Sequence, residues 1–153
     1  METFRDFLTI LSGLLTPTLG VVGAIILNNQ YRLEKLRWRL ALYDKRYPVY
    51  IKTMEFLSKI SGAHNVTNDQ LFAFLRDSRD KEFLFGEDVQ KLLGRIYEKA
   101  LDLNTFEATL NGLPVGDERT RRVEESSKAF KWLTEQFATC KATFGEYLKV
   151  DEK

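Results

Sequence analysis

The sequence is poor in the side chains that build catalytic and metal centres. Its 153 residues include a single cysteine, Cys140, and a single histidine, His64. A zinc site needs several ligands at close spacing, and neither a CxxC nor an HxxxH pattern occurs. Gly-rich phosphate loops and the GxSxG motif are also missing. We therefore expect no metal, no cofactor and no catalytic residue, and we predict that the protein is not an enzyme.

A lone cysteine also rules out an internal disulfide framework. Small domains that face an oxidising compartment usually carry paired cysteines, so the composition favours a reducing one. We predict that Cys140 is an inert thiol packed between helices and that His64 lies in an exposed loop.

Neither a linker nor an excess of charge divides the chain. It has three prolines, no repeat and no Pro/Gly/Ser-rich stretch, which leaves room for one modest domain. The 23 basic and 22 acidic residues give a net charge of +1. This balance does not indicate a polyanion partner, and we do not expect nucleic-acid binding.

Charged residues are absent from residues 7–27, FLTILSGLLTPTLGVVGAIIL. A helix of this length spans roughly 31 Å, about the thickness of the bilayer's hydrocarbon core. Twelve of the residues are Leu, Ile, Val or Phe, and each favours insertion by roughly 0.3 to 0.6 kcal/mol. The run therefore predicts a transmembrane helix within residues 1–30, followed by a cytosolic domain over 31–153.

Two other interpretations of this run are a cleaved signal peptide and a buried core helix. The run is longer than the usual apolar region of a signal peptide, and the leader METFRD has no cationic excess. A core helix of a soluble protein normally shows a polar face, whereas this run has only hydroxyls and glycines on its polar side. A retained anchor is the preferred interpretation.

Basic residues follow the run directly. Residues 28–47 contain six Lys or Arg against two acidic residues, which places the C-terminal domain in the cytoplasm and the N-terminus outside. A bacterial inner membrane is the expected location. Four of the basic residues are predicted to contact lipid headgroups: Arg32, Lys35, Arg37 and Arg39.

Small and hydroxylated residues recur at spacings of three and four within the run, so they share one side of the helix. Such a side lets a second backbone approach closely, and its hydroxyls can bond across helices. It is the predicted face for homo-oligomerisation or for a water-lined pore, and Pro17 is expected to kink the helix beside it. The predicted residues are Thr9, Ser12, Thr16, Pro17, Gly20, Gly23 and Ala24.

Helical periodicity dominates the remainder, and no run shows strand alternation. A core stripe is predicted at Leu33, Leu36, Leu40, Tyr43, Tyr47, Tyr50, Met54 and Leu57. It passes through Pro48, so either one helix bends at Tyr47 or a second begins at Pro48. Further helices are expected at about 68–78, 87–110 and 118–148, with a capping box at Thr67 and Gln70 and a helix stop at Asn111 and Gly112. The residues predicted to face the core in these helices include Leu71, Phe74, Leu75, Leu101 and Val123. The sequence thus predicts an all-α protein with a four- to five-helix cytosolic bundle.

Two local features allow alternative interpretations. KEFLFG, residues 81–86, is predicted to plug one end of the bundle, while an exposed Phe83 or Phe85 would be a docking surface. Arg119 and Arg122 share a helix face and would grip an anion or nucleotide, although local ion pairs within DERTRRVEE also account for them.

Residues 40–60, LALYDKRYPVYIKTMEFLSKI, and 74–89, FLRDSRDKEFLFGEDV, resemble small bacterial proteins that pair one N-terminal span with a helical cytosolic domain. In architecture the chain is also similar to membrane-anchored, HEPN-like accessory proteins of CRISPR defence, a resemblance that implies ring assembly and membrane damage. HEPN ribonucleases carry an Arg followed after four to six residues by His, whereas this chain has Lys59 and then His64, so no ribonuclease site is implied.

These features lead to one main functional hypothesis. The protein is expected to be an oligomeric single-span protein of the inner membrane that forms a pore or perturbs the membrane in anti-phage defence. The alternatives are a membrane-tethered adaptor for a cytosolic protein partner and a receptor for a nucleotide messenger, neither of which needs a pore.

Overall fold

A computed structural model describes residues 2–110 and 114–149, with side chains described in these ranges except at residues 2, 4–18, 107 and 110. The described residues form five helices and no strand, which confirms the predicted all-α fold. The helices are α1 (Glu2–Ala63), α2 (Asn68–Asp77), α3 (Lys81–Leu84), α4 (Glu87–Leu110) and α5 (Asp117–Leu148). The predicted helix stop at Asn111 and Gly112 lies outside the described residues.

The chain divides into two compact units, Met1–Ala41 and Leu42–Lys153. The described residues of the first unit all belong to α1. The second unit combines residues 42–63 of α1 with the four other helices, and α1 has no break at Pro48. The predicted boundary between residues 1–30 and 31–153 marks where the chain would leave a bilayer, whereas the two units are defined by packing. The predicted boundary therefore stays a prediction.

Within the second unit, residues 42–63 of α1 run antiparallel to α5. The Tyr50 ring packs against Phe144 near the end of α5, with 5.5 Å between ring centroids. The His64 ring, just after α1, stacks on Phe130 near the middle of α5 at 4.4 Å. Because later α1 residues meet earlier α5 residues, the two helices have opposite directions.

Helices α4 and α5 also pack as an antiparallel pair. The Arg95 guanidinium lies over the Trp132 ring, 5.6 Å from its centroid, while Asp88 at the start of α4 meets Tyr147 at the end of α5. The Asn104 side-chain amide donates a 2.6 Å hydrogen bond to the Val66 carbonyl and so ties the α1–α2 loop to α4. A three-helix bundle with α2 and α3 as short additions results.

The core of the second unit lies between these helices. Burying a Leu, Ile, Val or Phe side chain stabilises a fold by about 1.5 to 3 kcal/mol, and every long helix supplies such residues here. The least exposed large apolar side chains are Leu57, Ile60, Val89, Leu93, Ile96, Leu103, Leu133 and Phe144. The C-terminal third of α1, α4 and the second half of α5 therefore form one core.

Helix α2 begins with the predicted capping box. The Gln70 backbone amide donates to the Thr67 hydroxyl at 3.3 Å, and the Thr67 amide donates to the Gln70 side chain at 2.9 Å. Leu71 and Phe74 are buried as predicted. The Phe74 ring stacks on Phe56 of α1 at 4.4 Å, which fastens α2 to the bundle.

Helix α1 ends in a left-handed cap. His64 has φ 57°, and its backbone amide donates to the Ile60 carbonyl at 2.9 Å. This single bond to the fourth residue back is the αL capping motif, which glycine fills more often than histidine. His64 is exposed, as predicted, and its stacking on Phe130 supplies a contact that glycine lacks.

The KEFLFG segment has two faces. Phe85 is buried and packs edge-on against Phe144 at 5.1 Å, so it closes one end of the core as predicted. Phe83 is 86% exposed and takes no part in the plug. The core-plug prediction therefore holds for Phe85, and the docking-surface alternative remains for Phe83.

The predicted core stripe of α1 is wrong in its N-terminal half. Leu57 is buried, whereas Leu33 is 55% exposed and Leu40 is 45% exposed. Leu36 and Tyr47 are also exposed. For the three leucines, the reason is that the described part of the first unit contains no second helix to cover this face, although the periodicity continues along it. Tyr47 belongs to the second unit and stacks on Tyr43 of its own helix.

Three other residues predicted to face the core are exposed: Leu75, Leu101 and Val123. Leu101 follows buried Ala100 by one position, about 100° around the helix, and so lies at the edge of the buried face. Val123 belongs to the early turns of α5, and the first buried residue of that helix is Ala129. Helix α5 has 32 residues and α4 has 24, so α4 does not cover the whole of α5.

Alanine in place of two glycines of the second unit should have opposite effects on stability. A Cβ on Gly86 would collide with the Tyr147 hydroxyl and lie 3.0 Å from an Asp88 oxygen, while a Cβ on Gly94 meets nothing within 4 Å. We expect Gly86→Ala to destabilise the fold by about 1 to 3 kcal/mol and Gly94→Ala to stabilise it by about 0.5 to 1 kcal/mol. Denaturant unfolding of the full chain in mild detergent, followed by circular dichroism, measures both. Equal stability of the two variants would contradict the described packing.

Candidate self-association surface

The first unit exposes a dense set of apolar side chains. Each large apolar residue between positions 19 and 27 is at least half exposed. They are Leu19, Val21, Val22, Ile25, Ile26 and Leu27. Within the part of the chain that the structure describes, no helix is long and apolar enough to cross a membrane.

The predicted small-residue face is described only at its C-terminal end. The side chains of Thr9, Ser12, Thr16 and Pro17 lie outside the described residues. A Cβ built on Gly20 or Gly23 meets nothing within 4 Å, and Ala24 is exposed. Among the described residues, nothing lies close enough to require glycine at positions 20 and 23. The role of the face in oligomerisation stays a prediction.

A basic and aromatic segment follows the apolar residues. Arg32, Lys35 and Arg37 are exposed, and Arg39 is half-buried. Tyr31 and Trp38 lie among them, and Trp38 is 73% exposed. Trp and Tyr are enriched where membrane helices meet water, and Lys and Arg are enriched on the cytoplasmic side. Contact of the four basic residues with lipid headgroups stays a prediction.

Arg46, one of the six basic residues within 28–47, has a structural role. Its Nε donates to the Leu84 carbonyl at 2.8 Å, and Nη1 donates to the Tyr147 carbonyl at 3.3 Å. The guanidinium also lies over the rings of Phe85 and Tyr147, at 5.9 and 5.3 Å from their centroids. Such contacts use both the charge and the planar face of arginine. Sequence reasoning missed this group, because Arg46 and Tyr147 are 101 positions apart.

The Tyr147 hydroxyl connects α5 to the start of α4. It donates to Asp88 Oδ1 at 2.6 Å and accepts a 3.2 Å hydrogen bond from the Gly86 amide. The hydrogen bond from Tyr147 lowers the pKa of Asp88, because it stabilises the carboxylate. The same bond raises the pKa of Tyr147, because ionisation would remove the donated proton. These contacts hold one end of the bundle together.

The arginines at the start of α5 are engaged locally. Arg122 Nη2 lies 3.7 Å from a Glu118 carboxylate oxygen, one helical turn away. Arg119 is exposed and also has an interaction partner. The Glu118–Arg122 pair agrees with the interpretation of this segment as a face of local ion pairs. Binding of an anion or nucleotide by Arg119 and Arg122 stays a prediction.

Cys140 is buried in the core, as predicted, and burial raises the pKa of its thiol to about 12. Because the thiolate is the reactive form, this thiol is inert at neutral pH. Among the described residues, no group of three His, Cys, Asp or Glu side chains is arranged to hold a metal ion.

Removal of the Tyr147 hydroxyl tests the contacts of Asp88. Tyr147→Phe loses two hydrogen bonds, and we expect it to lower the free energy of unfolding by about 0.5 to 1.5 kcal/mol per bond at pH 7. Because the pKa of Asp88 is lowered in the folded protein, its carboxylate contributes to the free energy of unfolding above pH 3.8, the ordinary pKa. This contribution is lost as the pH falls through the lowered pKa. The difference between wild type and variant should therefore shrink in acid.

Thermal unfolding of both full chains in mild detergent, measured between pH 7 and pH 3, checks this expectation. Tyr31→Phe is the control, because it removes an exposed hydroxyl in the other unit, and it should leave stability unchanged. A Tyr147→Phe difference that is constant over the whole pH range would show that Asp88 is not coupled to Tyr147.

Comparisons with protein-family models, with curated proteins and with solved structures found no match to this chain. The resemblance to small single-span proteins and to HEPN-like defence proteins therefore stays a prediction.

Proposed function

We propose that the protein is a single-span protein of the bacterial inner membrane, anchored by residues 7–27, which self-associates and perturbs the membrane. The exposure of every large apolar side chain from Leu19 to Leu27 carries this proposal. These side chains continue a run that is free of charge from residue 7. The side chains of residues 7–18 lie outside the described residues, so for them the proposal rests on the sequence.

The cost of leaving these side chains in water favours the membrane. A fully buried Leu, Ile or Val side chain gains about 1.5 to 3 kcal/mol relative to an exposed one. Six such residues between 19 and 27 remain at least half exposed. A bilayer covers all sides of a helix at once, which suits a run whose apolar residues surround the whole helix.

The segment after the run supports one orientation. Arg32, Lys35 and Arg37 are exposed next to Tyr31 and Trp38, and this combination suits the boundary between lipid and cytoplasm. The second unit would then lie in the cytoplasm and the N-terminus outside. A reducing cytoplasm also suits a chain whose one thiol is unpaired.

Self-association accounts for Gly20 and Gly23. Glycine costs about 0.5 to 1 kcal/mol relative to alanine inside a helix, and neither glycine relieves a collision with the described residues. Close approach of a second transmembrane helix is a use for such residues that a lone helix does not have. Assembly into a ring or pore in anti-phage defence is the activity proposed for the oligomer.

Charges placed in the middle of the run test the anchor. Each Asp costs about 2.5 to 3.5 kcal/mol at the centre of a membrane helix, so Leu15→Asp with Leu19→Asp should move the full chain out of carbonate-washed membranes. The matched control is Phe72→Asp with Phe83→Asp, which adds the same charge at exposed apolar residues of the second unit. Wild type found in the supernatant after ultracentrifugation without detergent would refute the anchor.

A leucine at position 20 tests self-association. We expect Gly20→Leu to lower the oligomer order of the full chain in mild detergent, measured by mass photometry, because the larger side chain prevents close approach. Gly62→Leu is the control, since Gly62 is also a helical glycine with nothing within 4 Å of its Cβ position. A strictly monomeric wild type would count against self-association, and an unchanged Gly20→Leu oligomer would exclude the glycine face.

The adaptor alternative has an observation in its favour. Phe83 and Phe72 of the second unit are 86% and 68% exposed, and aromatic side chains of this kind often contact protein partners. An adaptor needs no pore. Potential-sensitive dye uptake in cells expressing the full chain, compared with a chain that lacks residues 1–27, separates the two functions. Loss of potential with the full chain alone supports the membrane-perturbing function, and unchanged potential supports the adaptor.

A further inference from the structure

The exposed face of α1 in the first unit has a seven-residue repeat. Positions 19, 22, 26, 29, 33, 36 and 40 are separated by 3, 4, 3, 4, 3 and 4 residues. Six of the seven are apolar and exposed: Leu19, Val22, Ile26, Leu33, Leu36 and Leu40. We refer to these seven positions as the seam. It extends from within the charge-free run into the basic segment without a change of phase.

A strict seven-residue repeat has a specific physical meaning. A straight helix has 3.6 residues per turn, so an apolar seam with a period of 3.5 stays in contact only with another helix that winds around it in a left-handed supercoil. A flat lipid surface or an irregular partner does not require this period. Three full heptads, from Leu19 to Leu40, satisfy the pattern.

We propose that the seam is a parallel coiled-coil interface between copies of this chain. The inference rests on the proposed membrane anchor, because anchored copies share one orientation and their α1 helices must then run parallel. A second copy brings an identical seam at the same depth in the bilayer. Of the small-residue face, Gly23 borders the seam because it follows Val22 directly. Gly20 and Ala24 lie farther around the helix, toward the side of Tyr31 and Trp38, so the seam and the small-residue face would be separate contact surfaces.

Asn29 is the polar position within the seam. It is exposed in the single chain, and in the coiled coil it would lie between Ile26 and Leu33, with apolar layers on both sides. A single Asn at an a position of a parallel coiled coil sets register and oligomer number at a cost in stability. Asn29 falls at a d position of this repeat, and we assign it the same role in the proposed assembly. Asn29 therefore has the role of selecting one assembly from several that the leucines alone would permit.

The opposite face of the same helix has a different chemistry. Tyr31 and Trp38 are seven residues apart, and at about 100° per residue they lie roughly opposite the Leu33, Leu36 and Leu40 stripe. Both are exposed. In the assembly they would face outward at the level of the headgroups, where aromatic side chains are favoured. Leucines on one face and aromatics on the other give the helix an inner side and an outer side.

Disulfide trapping in native membranes tests the seam. Single cysteines are placed on the seam as Leu33→Cys and Leu36→Cys, and on the opposite face as Tyr31→Cys and Trp38→Cys. Since the Cα atoms of a disulfide must lie within about 7 Å, mild oxidation should link the two seam variants several-fold more than the two controls. The native Cys140 stays in place, because it is buried, and the unsubstituted chain measures its background.

The outcomes separate this inference from the proposed function. Preferential linkage at Leu33→Cys and Leu36→Cys supports the seam. Equal linkage at all four positions, strongest linkage at Tyr31→Cys or Trp38→Cys, or no linkage in a chain that stays in carbonate-washed membranes overturns the seam and leaves the anchor standing. A chain recovered in the supernatant overturns the anchor, and the seam with it.

Asn29→Leu gives a second measurement. We expect the variant to associate more tightly than wild type but to lose its single oligomer number, which mass photometry in mild detergent resolves as several mass species. Asn28→Leu is the matched control, because the neighbouring asparagine lies off the seam, and it should leave the oligomer distribution unchanged. Equal distributions for the two variants would remove the role of Asn29.

Discussion

Burial of one face of α1 against α2, α4 and α5 is the interaction on which the second unit depends. Leu57 and Ile60 are almost wholly buried, and Tyr50 and Phe56 bring α1 to α5 and α2 through aromatic contacts. The α4–α5 pair is a local hairpin, whereas α1 must close a long loop to reach α5. Closure costs chain entropy before any contact forms. The hydrogen bonds of Arg46 to the Leu84 and Tyr147 carbonyls join α1 to α3 and α5, and so fix the position of α1 once this loop has closed.

The helix bounds could be predicted because their signals are local. The Thr67 and Gln70 box starts α2, and α4 and α5 occupy the intervals that periodicity and breakers had marked. Exposure could not be predicted in the same way. Leu33 and Leu57 belong to one periodic series, yet Leu57 is buried and Leu33 is exposed. Periodicity identifies residues that share a face and says nothing of what covers it. Contacts such as Arg46 with Tyr147 join distant positions and leave no local pattern.

The contrast within this one series is informative about function. From Tyr50 onward the stripe packs against helices of its own chain, and from Leu19 to Leu40 the same periodicity continues on exposed residues. Apolar residues in water gain nothing from regular spacing, and this spacing persists on a face that the described residues leave exposed, which supports the proposed partner helix. The residues around the whole helix at 19–27 suit lipid, and those on one face down to Leu40 suit another helix.

The charges beside the seam would connect the proposed membrane attachment to the proposed self-association. In a parallel pair of helices the residues that flank the apolar layers face each other, and here they include Arg32 and Arg37. Like charges at about 4 Å repel by about 1 kcal/mol in water and by more where water is excluded. Anionic headgroups attract each basic residue near the surface by about 1 kcal/mol, which offsets the repulsion. In the proposed coiled coil, the seam would therefore associate more weakly away from a membrane, and the basic residues would favour assembly at the lipid surface.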